Sequence, residues 1–170
     1  MKNRIYTLLV IFAVLVACKK EDSSPKPSPV KNYLLVGNEY YSLKRGYVGF
    51  DQTNGVTTST IWLTDSATNN GFTVDFLMVN DTTALPSGNY EFKKITAVKD
   101  MEFGKFHTMA FQYRTNDSTT QISSFNTVIT KATMQVKQIN GESVIDALVE
   151  YNGKTAKVHF EGTLEYLKFW

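Results

Sequence analysis

Two Asn-Gly pairs near the carboxyl-terminal end, Asn140-Gly141 and Asn152-Gly153, constrain the fold more than any other feature. Each lies between runs rich in strand-forming residues. Asn-Gly is the strongest short hairpin signal, because a type I′ turn needs positive φ at both central residues. Read as two-residue turns, the first pairs Val136 with Ile145, Met134 with Ala147 and Ala132 with Val149. The second pairs Ile145 with Phe160, Ala147 with Val158 and Val149 with Ala156. Two independent turns thus put Ile145, Ala147 and Val149 on one apolar face, and a one-residue slip would destroy both matches. The sequence therefore predicts a three-stranded meander. Its other face carries Asp146 opposite Gln135 on one side and His159 on the other, with Lys137, Lys157, Glu150 and Glu161 nearby. Val144 and Leu148 share that face.

Upstream, from Tyr33 onward, runs of Val, Ile, Thr, Tyr and Phe alternate with clusters of Gly, Asn and Asp, the pattern of short strands joined by tight turns. Tyr33–Val36 and Glu39–Leu43 flank Gly37-Asn38. Tyr47–Asp51 and Thr57–Thr64 follow. Phe72, Val74, Phe76 and Met78 then alternate with Thr73, Asp75, Leu77 and Val79, and the first set reads as a core face. Tyr90–Ile95, Phe103–Arg114 and Ile122–Ile129 are further strands. No long helical period interrupts them. The expected class is all-β: an antiparallel β-sandwich of about nine or ten strands, with a lipocalin-like closed barrel as the alternative.

The other end of the chain has a different character. Lys2 and Arg4 precede an unbroken apolar run, Leu8 to Val16, which is too short to span a bilayer as a mature helix. Ala17 and Cys18 follow. Leu15-Val16-Ala17-Cys18 resembles a bacterial lipobox. The resemblance implies cleavage before Cys18, diacylglycerol on its sulfur and attachment to the outer membrane, since two or more acyl chains anchor stably. Lys19-Lys20-Glu21-Asp22-Ser23-Ser24 resembles the surface-export signal of lipoproteins in the Bacteroidota, which implies the cell surface, with the periplasmic side as the alternative. Pro25, Pro27 and Pro29 alternate with lysine and serine, so this stretch is extended and stiff. The expected organisation is a signal peptide at 1–17, a lipidated tether at 18–31 and a single all-β domain at 32–170.

Charge and cysteine content narrow the function classes. Removing Lys2 and Arg4 from the 18 basic residues leaves 16, against 16 acidic ones. A balanced domain has no electrostatic footprint for nucleic acid. Cys18 is the only cysteine, so the domain has no disulfide and depends on its core for stability.

Candidate chemistry is sparse. Asp146 beside His159 is the best polar cluster, but the sequence places no nucleophile next to it, and opposite charges across a sheet are common. The other histidine, His107, alternates in phase with Met109, Phe111 and Tyr113 and reads as packed. No histidine-rich ligand spacing is present. The oxygen-rich stretches Asp51–Gly55 and Asp65–Asn70 read as turns. No catalytic residue, metal ligand or cofactor is therefore expected. Aromatics make up 13% of the chain. Tyr40, Tyr41, Tyr47, Trp62 and Trp170 are not placed in the core by the pattern. Exposed aromatics among Asn, Asp and Gln can stack on sugar rings. The candidate ligand-binding set is thus Trp62, Tyr47, Tyr40, Tyr41, Gln135, Asp146 and His159.

With its lipobox, charged tether and closing Asn-Gly hairpins, the chain resembles the small all-β lipoproteins common in the Bacteroidota. The expected function is a membrane-tethered, non-catalytic binding module for a glycan or small apolar ligand. The alternative is a structural or accessory subunit of a cell-envelope complex, with an envelope protein as partner.

Overall fold

The computed structural model describes residues 30–53, 56–77, 85–116 and 118–168. The lipobox, Cys18, nearly all of the tether, Met78 and Trp170 lie outside the described residues.

The domain is all-β. Its strands are β1 (Tyr33–Val36), β2 (Glu39–Ser42), β3 (Arg45–Thr53), β4 (Val56–Asp65), β5 (Asn70–Leu77), β6 (Gly88–Phe92), β7 (Lys105–Thr115), β8 (Ser118–Ser123), β9 (Ile129–Ile139), β10 (Glu142–Tyr151), β11 (Lys154–Gly162) and β12 (Leu164–Lys168). A 3-10 turn, Val98–Asp100, sits before β7. All twelve strands form one sheet in the order β12-β3-β4-β5-β7-β6-β9-β10-β11-β1-β2, and β8 pairs with β7 beyond the end of β6.

The carboxyl-terminal meander has the expected register. Ile145 lies between Val136 and Phe160, Ala147 between Met134 and Val158, and Val149 between Ala132 and Ala156. Asn140 and Asn152 have φ of 52° and 45°, and Gly141 and Gly153 follow at 83° and 71°. Those are the positive angles a type I′ turn requires.

One core serves the whole sheet. Val48 and Ile61 from β3 and β4, Phe72, Val74 and Phe76 from β5, and Met109 and Phe111 from β7 face Met134, Ile145, Val158 and Phe160 from the other flank. The sheet curls into a half-barrel to bring these rows together, so its two flanks meet as the layers of a sandwich do. The curl is tight at Gly46 on β3. A Cβ there would lie 2.5 Å from Leu164 Cδ2 and 2.7 Å from Phe160 Cζ, so only glycine lets β3 approach β11 and β12.

The chain itself links the ends of the curl. Between β2 and β3, the N–H of Leu43 donates to Asn32 O (3.1 Å) and that of Lys44 to Thr64 O (2.9 Å). The run therefore leaves β1 and joins β4 within two residues. Likewise β11 passes through Thr163 into β12, leaving β10 for β3.

Two details differ from the sequence reading. Among the described residues the strands number twelve rather than nine or ten, and two pairs, β12 with β3 and β6 with β7, are parallel. Ile122–Ile129 is not one strand: Asn126 Oδ1 accepts the N–H of Ser123 at 3.0 Å, and Asn126 and Thr127 both donate back to Ser123 O. This side-chain turn ends β8 and lets β9 start at Ile129. The parallel pair β6–β7 becomes accessible because the long connection 93–104 carries the chain back to the same end of the sheet.

The turn between β4 and β5 is anchored by a buried carboxylate. Asp65, 2% exposed, accepts from the Ser42 hydroxyl, from Lys44 Nζ at 3.0 Å and from the N–H of Ala67 at 3.1 Å. Burial pushes its carboxyl up, but these three donors outweigh burial and hold it below the usual carboxylate range.

Candidate functional site

The outward face of the β3–β4–β5–β7 flank carries a groove of about 500 Å³. Its form follows from side-chain size along two cross-strand rows. One row runs Tyr47, Trp62, Thr73, Ala110 and Ser123. The other runs Arg45, Thr64, Gly71, Gln112 and Gln121. Bulky aromatics on β3 and β4 are thus followed by small residues on β5 and β7, then by two amides. Leu167 of β12 closes the aromatic side. Gly71 leaves backbone as the floor, since a Cβ there would touch only Leu63 O at 3.4 Å and Gln112 Cγ at 3.9 Å.

The polar groups of this groove are oriented. Arg45 Nη1 donates to the Tyr47 hydroxyl at 3.4 Å. Gln112 Nε2 donates to Asn69 O and to Asn69 Oδ1, both at 3.0 Å. A backbone oxygen can only accept, so the Gln112 amide nitrogen is fixed toward Asn69 and its Oε1 is the group left to accept from a ligand. Arg45 lies at the edge of the groove, on the Tyr47 hydroxyl; the lining residues themselves carry no charge. Aromatic rings beside a small-residue floor and fixed amides suit a neutral molecule with both a flat apolar face and hydroxyl groups.

The other flank carries a second groove, of about 570 Å³, on the outer face of β1, β6, β9, β10 and β11. Here a row runs Tyr33, His159, Asp146, Gln135 and Asn89. His159 Nδ1 and Asp146 Oδ1 are 2.7 Å apart. Gln135 Nε2 donates to Asn89 Oδ1 at 2.8 Å. Tyr40 packs edge-on against Tyr33, with ring centroids 5.0 Å apart and planes at 84°, and the His159 ring lies 5.6 Å from Tyr33. Burial, followed by the neighbouring Tyr40 and Asp146, pushes the Tyr33 hydroxyl up, so it remains a hydrogen-bond donor at neutral pH.

The candidate residues therefore divide. Tyr47 and Trp62 stand together in the first groove. Tyr40 and His159 lie against Tyr33 at the second, and Asp146 and Gln135 follow along its row. Tyr41 belongs to neither: it faces the core side, its ring 4.8 Å from Tyr113, and its hydroxyl donates to Glu39 Oε2 at 2.7 Å. Gly71, Thr73, Ala110, Gln112, Gln121, Leu167 and Tyr33 line the grooves but were not in the candidate set read from the sequence. One signal for the Tyr47–Trp62 pair was available. Thr53 pairs with Val56 across Asn54-Gly55, a third Asn-Gly connection, and that register sets Tyr47 opposite Trp62.

His107 is held as a packed residue. It is 3% exposed; its Nε2 accepts the N–H of Glu102 at 3.0 Å, so Nδ1 carries the proton and donates to Lys93 O at 3.0 Å. Among the described residues no group of three or more His, Cys, Asp or Glu is placed to hold a metal ion. No helix among them is long and apolar enough to cross a membrane. Comparison with known protein families, with curated proteins and with solved structures finds no match.

Proposed function

We propose that the protein is a membrane-tethered, surface-exposed lipoprotein of the Bacteroidota type, without catalytic activity, whose Tyr47–Trp62 groove binds a neutral glycan. One observation carries the reading: two neighbouring aromatic side chains border a floor of Gly71, Thr73 and Ala110, faced by the oriented amide of Gln112. A pyranose ring has an apolar face that stacks on aromatics and a rim of hydroxyls that donates to an amide oxygen. A buried apolar ligand fits less well, because the core rows are occupied by Phe72, Phe76, Phe111, Met134 and Phe160. Lipid on Cys18 would hold the domain at the outer membrane, and the proline-rich tether would lift the groove clear of it.

A second reading has its own observation. Phe125 and Val128, in the connection from β8 to β9, are 85% and 68% exposed. Exposed apolar residues at a sheet end suit a protein partner, so an accessory subunit of an envelope complex is the alternative.

Thermal unfolding of the full chain in detergent, against neutral oligosaccharides, fatty acids and divalent ions, tests the proposal. A ligand at ~100 times its dissociation constant stabilises by about 2.7 kcal/mol. A shift with one class of oligosaccharide, lost in Trp62→Ala, supports it. No shift with any oligosaccharide refutes it and favours the accessory subunit.

A further inference from the structure

We infer that the second groove is an independent site for an acidic sugar, a pyranose ring that carries a carboxylate. It stands on its own residues and does not depend on the Tyr47–Trp62 groove.

The ring-binding element is Tyr33. Tyr40 meets it at right angles and His159 lies against it, so the phenol ring is supported by both neighbours before any ligand arrives. A ring immobilised in advance loses little conformational entropy when a sugar stacks on it. Asp146 and Gln135 stand next along the row and offer oxygen acceptors for ring hydroxyls.

Charge selects the class of sugar. Asp146 is answered by His159, and Glu91, which also lines the groove, is answered by Lys105 at 2.5 Å. Lys157 projects from β11 into the same groove, beside Leu148, and has no ion-pair partner among the described residues. An aromatic ring, hydroxyl acceptors and one unanswered ammonium together match a uronic acid. The first groove, with no charged lining, matches a neutral sugar instead. The two flanks face away from each other across the core, so one molecule would present both specificities at once.

The test is calorimetric titration of the full chain in detergent with a short oligogalacturonate and with its methyl ester, which keeps the rings and removes the charge. The acid is expected to bind, with the ester about five-fold weaker, as for an exposed ion pair near 1 kcal/mol. Lys157→Gln should lose about the same factor for the acid. Lys157→Arg should keep the affinity. Lys154→Gln, an equal change of charge on the same strand outside the groove, should leave it unaltered. Equal binding of acid and ester, equal losses in Lys154→Gln and Lys157→Gln, or no binding of the acid would each overturn the inference. Should Lys157→Gln not fold, the acid–ester comparison on the unmodified chain still decides. Loss of neutral-sugar binding in Trp62→Ala is read separately and bears only on the first groove.

Discussion

Asn69, in the turn between β4 and β5, orients Gln112 at the first groove: the Gln112 amide nitrogen donates to both Asn69 O and Asn69 Oδ1 at 3.0 Å. Asn69 is itself in the left-handed region, with φ of 59°, where asparagine is among the few residues tolerated. The amide oxygen of Gln112 is thereby presented as an acceptor. Gln112→Ala removes it, and should weaken oligosaccharide binding about five-fold, the equivalent of one net hydrogen bond near 1 kcal/mol. Calorimetric titration beside an unchanged melting curve checks this. Unaltered affinity would mean that ligands do not reach this side of the groove.

Gly46 admits no side chain. A methyl group there meets Leu164 and Phe160 well inside contact distance, and both are buried in the core. Gly46→Ala should destabilise the domain by about 1–3 kcal/mol, the usual cost of overpacking. A lowered denaturant midpoint with unchanged slope is the expected result. Gly71→Ala, where a Cβ meets only ordinary contacts, should change the midpoint much less.

Asp65 makes stability depend on acid. Its carboxyl is held below the usual range in the folded state by Ser42, Lys44 and the N–H of Ala67, against the opposing effect of burial. The unfolded chain therefore binds the proton more tightly than the folded one. The stabilisation is fully present above the unfolded value, near pH 4, and is lost as pH falls through the depressed folded value. Asp65→Asn should lower stability at neutral pH and flatten this acid limb. Denaturation midpoints measured between pH 2 and pH 7 would show it; parallel curves for the two proteins would contradict it.

Cys18 should carry the membrane attachment. Cys18→Ser should abolish incorporation of labelled palmitate and release the protein from the outer-membrane fraction, while the melting temperature of the domain stays the same. Continued membrane association of the unlipidated variant would refute the tethered reading.

The meander was legible in the sequence because two short turns fix three strands locally, and side-chain alternation then has no freedom to slip. The Asp146–His159–Gln135 row came with it. Tyr47 opposite Trp62 was equally legible through Asn54-Gly55, since the same counting rule applies there. The rest of the first groove was not. Thr73 meets Ala110, and Gly71 meets Gln112, across a pairing of β5 with β7 that skips β6 and contains an irregularity at Asp75–Phe76. No local turn sets that register, so it emerges only when the flanks close on a common core. Tyr33 was missed for a related reason: it joins His159 through the pairing of β1, near the start of the domain, with β11, near its end.

Emission from Trp62 tests the central claim most directly. The chain has two tryptophans, Trp62 and Trp170, so Trp170→Phe leaves Trp62 as the sole reporter. Titration of that variant with the neutral oligosaccharide that raises its melting temperature should shift or quench the emission in a saturable curve, at the same concentrations that stabilise the fold. Stabilisation without any change in Trp62 emission would place the ligand elsewhere and contradict the assignment of the Tyr47–Trp62 groove.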